Sequence, residues 1–362
     1  MVSPVQAASL GLTFLTFLPL SGVIIPFYLN MILQASCTVL IGCYASVHDP
    51  SKSAEENQKE TLNKKDVMKF PLYGSCTLFG LFVLLKFFKE LVNVLMVCYF
   101  MFLGVLALAG LMGPIVRPYL PGPLGNPKQF KITLPVFEEL KFNAAEAVCA
   151  VFGAVLAVIY GVTRHWLCNN IFGIAFSIKG IEMIHIGSYF NGAIMLCGLF
   201  FYDIFWVFGT PVMVTVAKSF DAPIKLVFPR DFDAPPDKRF SMLGLGDIVV
   251  PALFIALLLR WDLARRAKGE VIGKGYFWPV WGSYILGLVV TVVVMMGFNA
   301  AQPALLYLVP ACLLSSMAVA YSRNELSTLF AYAETEDHHG NDEPWFTWPW
   351  SSEKKQEEKK AE

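Results

Sequence analysis

Charge is scarce in this chain. Lys, Arg, Asp and Glu make up 15% of its 362 residues, against roughly 25% in ordinary soluble domains. The 28 basic and 28 acidic side chains cancel, so there is no basic footprint for a nucleic-acid partner. Eight cysteines fall mostly within apolar runs and form no CxxC pair, which points to packing rather than to disulfides or a metal site. The five histidines form no HExxH, so a zinc protease is not supported, and no metal or other cofactor is expected. No Asn-x-Ser/Thr sequon occurs, so glycosylation is not indicated. What is plentiful is hydrocarbon: 56% hydrophobic residues and a mean hydropathy of +0.56. Apolar runs of about 20 residues recur along most of the length, the mark of an all-α polytopic membrane protein in a lipid bilayer.

Taken in order, residues 1–26 form a hydrophobic segment that is a signal sequence, a re-entrant segment or an extra span; no basic residue precedes it, which weakens the signal-peptide reading. Residues 27–186 hold five spans, near 27–47, 70–87, 91–113, 144–162 and 168–186. Polar loops at 48–69 and 114–142 interrupt them, the first with five lysines and expected to be mobile, and Lys86, Lys89 and Glu90 mark a short turn. Residues 187–321 hold four more spans, near 189–209, 243–261, 276–298 and 301–321, and residues 322–362 form a charged tail. The expected fold therefore has about nine transmembrane helices, or ten with the N-terminal piece. With the tail on the cytosolic side, alternation places 19 of the 28 Lys and Arg residues on that face and 8 on the other. The positive-inside tendency then favours a cytosolic C-terminus and a non-cytosolic N-terminus for the nine-span core. On that side, Lys359 and Lys360, four and three positions from the end, look like a dilysine retrieval signal for the endoplasmic reticulum, although the tail is Lys/Glu-rich throughout.

Two acids lie inside apolar runs, Asp203 in LFFYDIFW and Asp247 in MLGLGDIVVP. An ionised carboxylate in hydrocarbon costs several kcal/mol, so each is a functional hypothesis. Asp203 precedes the end of its span by about six residues and Asp247 follows the start of the next by about four. At 1.5 Å per residue they lie about 9 Å and 6 Å from the same membrane face. No Lys or Arg in either span neutralises them at that depth. Two adjacent carboxylates share a proton and titrate as a unit. One can then deprotonate a water while the other, protonated, polarises a peptide carbonyl. That chemistry needs neither metal nor nucleophilic side chain.

The neighbours of the acids fit the same purpose. Gly244 and Gly246, around Leu245, cost about 1 kcal/mol each inside a helix, but allow close backbone approach and a frayed first turn. They serve equally as small packing residues. Gln302, Pro303, Ala304 and Leu305 open the last span, where a proline is an ordinary helix start or part of a rigid cleft lining. Tyr202 precedes Asp203 and either holds substrate or packs.

These residues resemble a known family. Phe201-Tyr202-Asp203, Leu243-Gly244-Leu245-Gly246-Asp247 and Gln302-Pro303-Ala304-Leu305 resemble the three signatures of the GxGD intramembrane aspartyl proteases. FWVFGT (205–210), VMVTVAKSF (212–220) and APIKLVFP (222–229) resemble the signal-peptide-peptidase branch rather than presenilin, and the likeness runs from about residue 70 to 330. The resemblance implies a presenilin/signal-peptide-peptidase-like fold of nine spans, a lumenal N-terminus, a cytosolic C-terminus and residence in the endoplasmic reticulum. It implies cleavage of signal-peptide remnants and other type II membrane segments by Asp203 and Asp247, with Pro303, Ala304 and Leu305 as the third motif. It also implies homo-oligomers, links to protein-quality-control assemblies and no obligate cofactor subunits.

A helical substrate hides its peptide bonds in its own hydrogen bonds, so cleavage requires local unwinding. The β-forming stretches Val212–Val216 and Lys225–Phe228 offer a strand edge on which such a segment can dock, or else simply pack on the membrane surface. Lys179, Glu182 and His185 recur at three-residue spacing in the fifth span, where the first two form a buried ion pair or serve water access. The competing class is a transporter or channel using Asp203, Asp247, Glu182, Lys179 and His185 as a proton or cation relay. A catalytically silent, chaperone-like binder of membrane helices is a third reading.

Overall fold

The computed structural model describes residues 4–21, 25–47, 60–62, 64–121, 129–132, 140–210, 212–219, 222–230, 239–269, 275–298 and 302–334. The dilysine-like Lys359 and Lys360 and the tail from 335 on lie outside the described residues.

Apolar sequence that must satisfy its own backbone becomes helix, and the long runs do so here. The N-terminal hydrophobic segment is α1 (Pro4–Phe17), followed by α2 (Phe27–Ala45). A short strand, β1 (Glu60–Leu62), lies within the loop expected to be mobile and pairs in parallel with a later strand. The next two expected spans are two helices that meet at a kink at Phe88 (φ −133°, ψ 43°), together α3 (Lys64–Val116). The expected turn at 86–90 has shrunk to that single residue, because the polar cluster there is too short to need a loop. The 114–142 loop contains an antiparallel ribbon, β2 (Gln129–Ile132) and β3 (Leu140–Asn143).

Helix α4 (Ala144–Thr163) starts on a capping box: the Asn143 side chain accepts from Glu146 N–H, and Glu146 accepts from Asn143 N–H, each at 2.9 Å. It ends at Arg164 in the left-handed region (φ 51°), and His165 caps α5 (Trp166–Met183). Strand β4 (Ile184–Ile186) pairs with β1, and Ser188 caps α6 (Tyr189–Phe208). Then come α7 (Val212–Ser219), the hairpin β5 (Lys225–Pro229) and β6 (Phe240–Gly244), and α8 (Leu245–Ala267). The chain continues through α9 (Phe277–Phe298), α10 (Leu305–Ser322) and α11 (Leu326–Ala331).

Among the described residues, six helices are long and apolar enough to cross a membrane: α2, α3, α4, α6, α9 and α10. Helix α8 stands at the centre of the bundle. Every residue from Ala252 to Leu259 is at most 5% exposed, with α2, α5, α6, α9 and α10 packed around it, so it is apolar all round along its middle.

The two ends of the bundle differ. At one end a polar latch joins chain segments far apart in sequence. Arg260 grips Glu334 through two bonds, at 2.6 and 3.0 Å, and donates to Ser46 Oγ at 3.0 Å. Arg265 pairs with Glu325 in the same bidentate way, at 2.8 and 2.9 Å, while the Tyr276 hydroxyl donates to Glu325 at 2.7 Å. Trp261 is stacked between Tyr276 and Tyr332, at centroid distances of 4.6 and 4.9 Å. Buried Asp262 accepts Tyr276 and Phe277 N–H at 2.7 and 2.9 Å, and Gly275 (φ +68°) makes the turn that fits against that carboxylate. Backbone bonds from Tyr189 to Tyr332 and from Glu334 to Gly187 tie α11 and its following residues to the start of α6. The opposite end carries the β5–β6 hairpin, the start of α5 and the start of α8.

Candidate functional site

Asp203 sits five residues before the end of α6 and is 2% exposed. Its Oδ2 accepts the backbone N–H of Leu305 at 3.0 Å. Leu305 is the first residue of α10, so this N–H is one that no intrahelical carbonyl can reach. The preceding Pro303 and Ala304 are buried, and the small Ala304 side chain lets the helix start approach the carboxylate. The third motif thus contributes a backbone donor rather than side-chain chemistry. Gln302 is half-buried and accepts from the Tyr307 hydroxyl at 3.5 Å, outside the immediate contact with Asp203.

Asp247 is the third residue of α8 and half-buried. It occupies a helix N-terminus, where the macrodipole favours an anion. Its side chain folds back over Gly244: a Cβ added there would lie 3.3 Å from Asp247 Oδ2. Gly246 has open space around it. The expected frayed turn is absent. Gly244 closes β6 and serves as the N-cap of α8 (φ −64°, ψ 141°), so the two glycines mark a strand-to-helix junction, where hairpin pairing holds the backbone in place of helix bonds. Leu245 is fixed there by its N–H, which donates to the Ile224 carbonyl at 3.1 Å.

Helices α6 and α8 pack together, which sets the end of α6 that carries Asp203 and the start of α8 that carries Asp247 at one end of the bundle. Tyr202 packs toward α3. Its ring packs 3.5 Å from the Cβ position of Gly74 in the first half of α3 and 6.3 Å from the Trp206 ring. Trp206 in turn donates to Ser75 Oγ at 3.1 Å, so α6 is keyed against α3.

The relay residues do not join this site. Lys179 and Glu182 pair at 2.8 Å late in α5, with Lys179 lying against Gly110 of α3. The neighbouring Gly180 packs against α8, its Cβ position 3.6 Å from Val249, while the Lys179 amine turns to Glu182. His185 lies in β4, opposite Thr61 of β1. Among the described residues no three His, Cys, Asp or Glu side chains gather in a way that would hold a metal ion.

A family model for signal peptide peptidase matches residues 54–336. The chain belongs to the signal peptide peptidase family. It is 41% identical to the signal peptide peptidase of Mus musculus and 40% identical to that of Homo sapiens, in each case over 319 residues that cover 85% of this chain and 83% of the relative. It is 44% identical to intramembrane protease 2 of Caenorhabditis elegans over 216 residues, 57% of this chain and 46% of that protein. Membership in the signal peptide peptidase family makes the chain a multi-pass membrane protease of the aspartyl class.

The hydropathy reading missed two buried side chains beside the hairpin. Asn169 and Asn170 open α5, 5% and 1% exposed, and bond to the β5 backbone. Two adjacent amides at the head of an apolar span were the available signal. The stretch Val212–Val216, expected to offer a strand edge, is instead the start of α7. Val212 and Val216 are one helical turn apart and bury against Leu85, Val92 and Trp206, so packing on α3 and α6 overrides β-propensity. Lys225–Phe228 does lie in a strand.

Proposed function

We propose that this protease cleaves signal-peptide remnants and other type II transmembrane segments, with Asp203 and Asp247 as the catalytic dyad. The observation that carries the proposal is the Leu305 N–H on Asp203 Oδ2 at 3.0 Å, which brings a second motif onto one acid, while α8, packed against α6, carries the other acid. The donor holds one oxygen of Asp203 and leaves the second for water or the scissile carbonyl. In the proposed cycle, the ionised partner takes a proton from water and the protonated partner donates to the carbonyl oxygen. Tyr202, Gly244, Leu245, Gly246, Gln302, Pro303, Ala304 and Leu305 act by shaping that space. The hairpin β5–β6 offers a strand edge for unwound substrate.

The residence proposed is the endoplasmic-reticulum membrane, with a lumenal N-terminus, a cytosolic C-terminus and Lys359 and Lys360 as its retrieval signal. Lys/Arg distribution supports this orientation, as does the gathering of residues 46, 187–189, 260–265 and 325–334 at one end of the bundle. Nine passes follow if the two halves of α3 count separately and α5 and α8 are added to the six apolar helices. Homo-oligomers and quality-control assemblies are the partners this reading admits. The deciding experiment is cleavage of a type II signal-peptide substrate in detergent by wild type, Asp203→Asn and Asp247→Asn, with and without a transition-state aspartyl-protease inhibitor. Both substitutions and the inhibitor are expected to abolish product; full cleavage by either variant overturns the dyad.

A further inference from the structure

A buried amide with no partner costs several kcal/mol, so the bonds of Asn169 and Asn170 require an account. Asn170 meets Val227 twice: its Oδ1 accepts Val227 N–H and its Nδ2 donates to the Val227 carbonyl, both at 2.8 Å. This is the hydrogen-bond pattern that a peptide unit on a neighbouring strand would offer. Asn169 Nδ2 donates to the Lys225 carbonyl at 2.6 Å and to Asn170 Oδ1 at 3.3 Å, and its Oδ1 accepts from the Tyr160 hydroxyl at 3.4 Å. The amide orientations follow, because Val227 N–H demands an oxygen and its carbonyl a nitrogen. One turn further on, a Cβ at Gly173 would lie 2.8 Å from Leu226 Cδ2 and 3.4 Å from Leu245 Cδ2, so the hairpin sits directly on α5.

The clamp reaches the reacting end of α8 through short, paired segments. Val227 lies opposite Met242 and Lys225 opposite Gly244. Gly244 is the α8 cap over which the Asp247 side chain folds. Because Val227 turns its N–H and carbonyl to Asn170, its partner Met242 turns its own to the far edge of β6. Met242 is 44% exposed.

We infer that Asn170 is a positioning residue for proteolysis: it acts as a surrogate strand that fixes the hairpin from which Asp247 is placed, and closes the β5 edge so that an unwound substrate adds along β6. This rests on Asp203 and Asp247 being the dyad. A displacement of about 1 Å in a reacting group lowers turnover as much as 100-fold.

The test uses full-length enzyme in detergent, with kcat expressed per site titrated by a tight transition-state inhibitor. Asn170→Ala is expected to lower kcat per site by about tenfold or more, with a raised KM. Asn170→Asp carries a second readout. Its protonated carboxyl can donate to the Val227 carbonyl and accept Val227 N–H, whereas the ionised form repels that carbonyl. Its kcat relative to wild type is therefore expected to rise as pH falls from about 8 to about 5. An unchanged kcat per site in Asn170→Ala, or an Asn170→Asp ratio flat with pH, overturns the inference. If Asn170→Ala does not fold, the pH ratio within Asn170→Asp still decides. Asp203→Asn is run alongside: residual full activity there refutes the dyad itself, while an inactive Asp203→Asn with unaffected Asn170 variants refutes only the clamp.

Discussion

Substituting Asp203 separates its chemistry from its structural bond. The carboxylate accepts the Leu305 N–H at 3.0 Å in a site 2% exposed. Asp203→Asn keeps an oxygen of the same shape in reach of that donor. What it loses is the charge assistance, a difference of about 1 kcal/mol between charged and neutral hydrogen bonds, and removing a buried charge offsets part of that. Asp203→Ala removes the acceptor altogether. Leu305 N–H, at the head of α10, is then buried without a partner at a cost of about 1–3 kcal/mol, to which the vacated side-chain volume adds. The expected order of thermal stability in detergent is wild type close to Asp203→Asn, with Asp203→Ala lower by a few degrees. Activity follows another order. Loss of a general acid–base group lowers turnover by about 10²–10⁴-fold, so both variants are expected to fall near background. The assay is product formation from a type II signal-peptide substrate, paired with melting followed by tryptophan fluorescence. Turnover above a tenth of wild type in Asp203→Asn refutes the catalytic assignment. Equal melting of the Asn and Ala variants refutes the structural weight placed on Leu305 N–H.

Other predictions follow from the same geometry. Gly244→Ala places a Cβ 3.3 Å from Asp247 Oδ2, so cleavage per titrated site is expected to fall more than in Gly246→Ala, where the space is open. Arg260 and Glu334 are a bidentate pair with side chains 10% and 14% exposed; Arg260→Ala and Glu334→Ala are each expected to lower melting, with a double-mutant-cycle coupling of about 1 kcal/mol or more. An additive cycle refutes that pairing. Hydrogen bonds from Arg265, helped by Tyr276, draw the Glu325 carboxyl from 4.5 down to about 2. A lowered folded-state value stabilises the fold above the ordinary glutamate range, and that contribution is lost as pH falls from about 4.5 toward 2. The melting gap between wild type and Glu325→Gln is therefore expected to shrink across that window, and a gap that widens on acidification refutes the argument.

Much of the scaffold was legible because hydrophobic length is a local property. The boundaries expected for the spans near 27–47, 144–162 and 189–209 fall within two residues of α2, α4 and α6. Where local propensity and packing disagreed, packing prevailed. Val212–Val216 is rich in β-branched residues and helical in place, because one face of that helix fills the space between α3 and α6. The glycines around Asp247 read as helix weakeners, yet Gly244 belongs to β6, since the strand residue that pairs with it, Lys225, lies nineteen residues earlier. Lys179 and Glu182 were legible as a pair, and the fold turns that pair toward Gly110 of α3.

Composition and spacing by themselves determined that this is a helical membrane protein with two costly acids near one membrane face, and motif resemblance placed it with the aspartyl proteases. Those are consequences of what hydrocarbon tolerates, residue by residue. The tertiary structure alone decided that the Leu305 N–H of the Pro303–Leu305 motif bonds Asp203, that the Asn170 amide pairs with the Val227 backbone, and that residues 325–334 latch the far ends of α6 and α8. Each is a contact between groups 57 to 147 positions apart, where a hydrogen bond depends on direction and distance that no local pattern encodes.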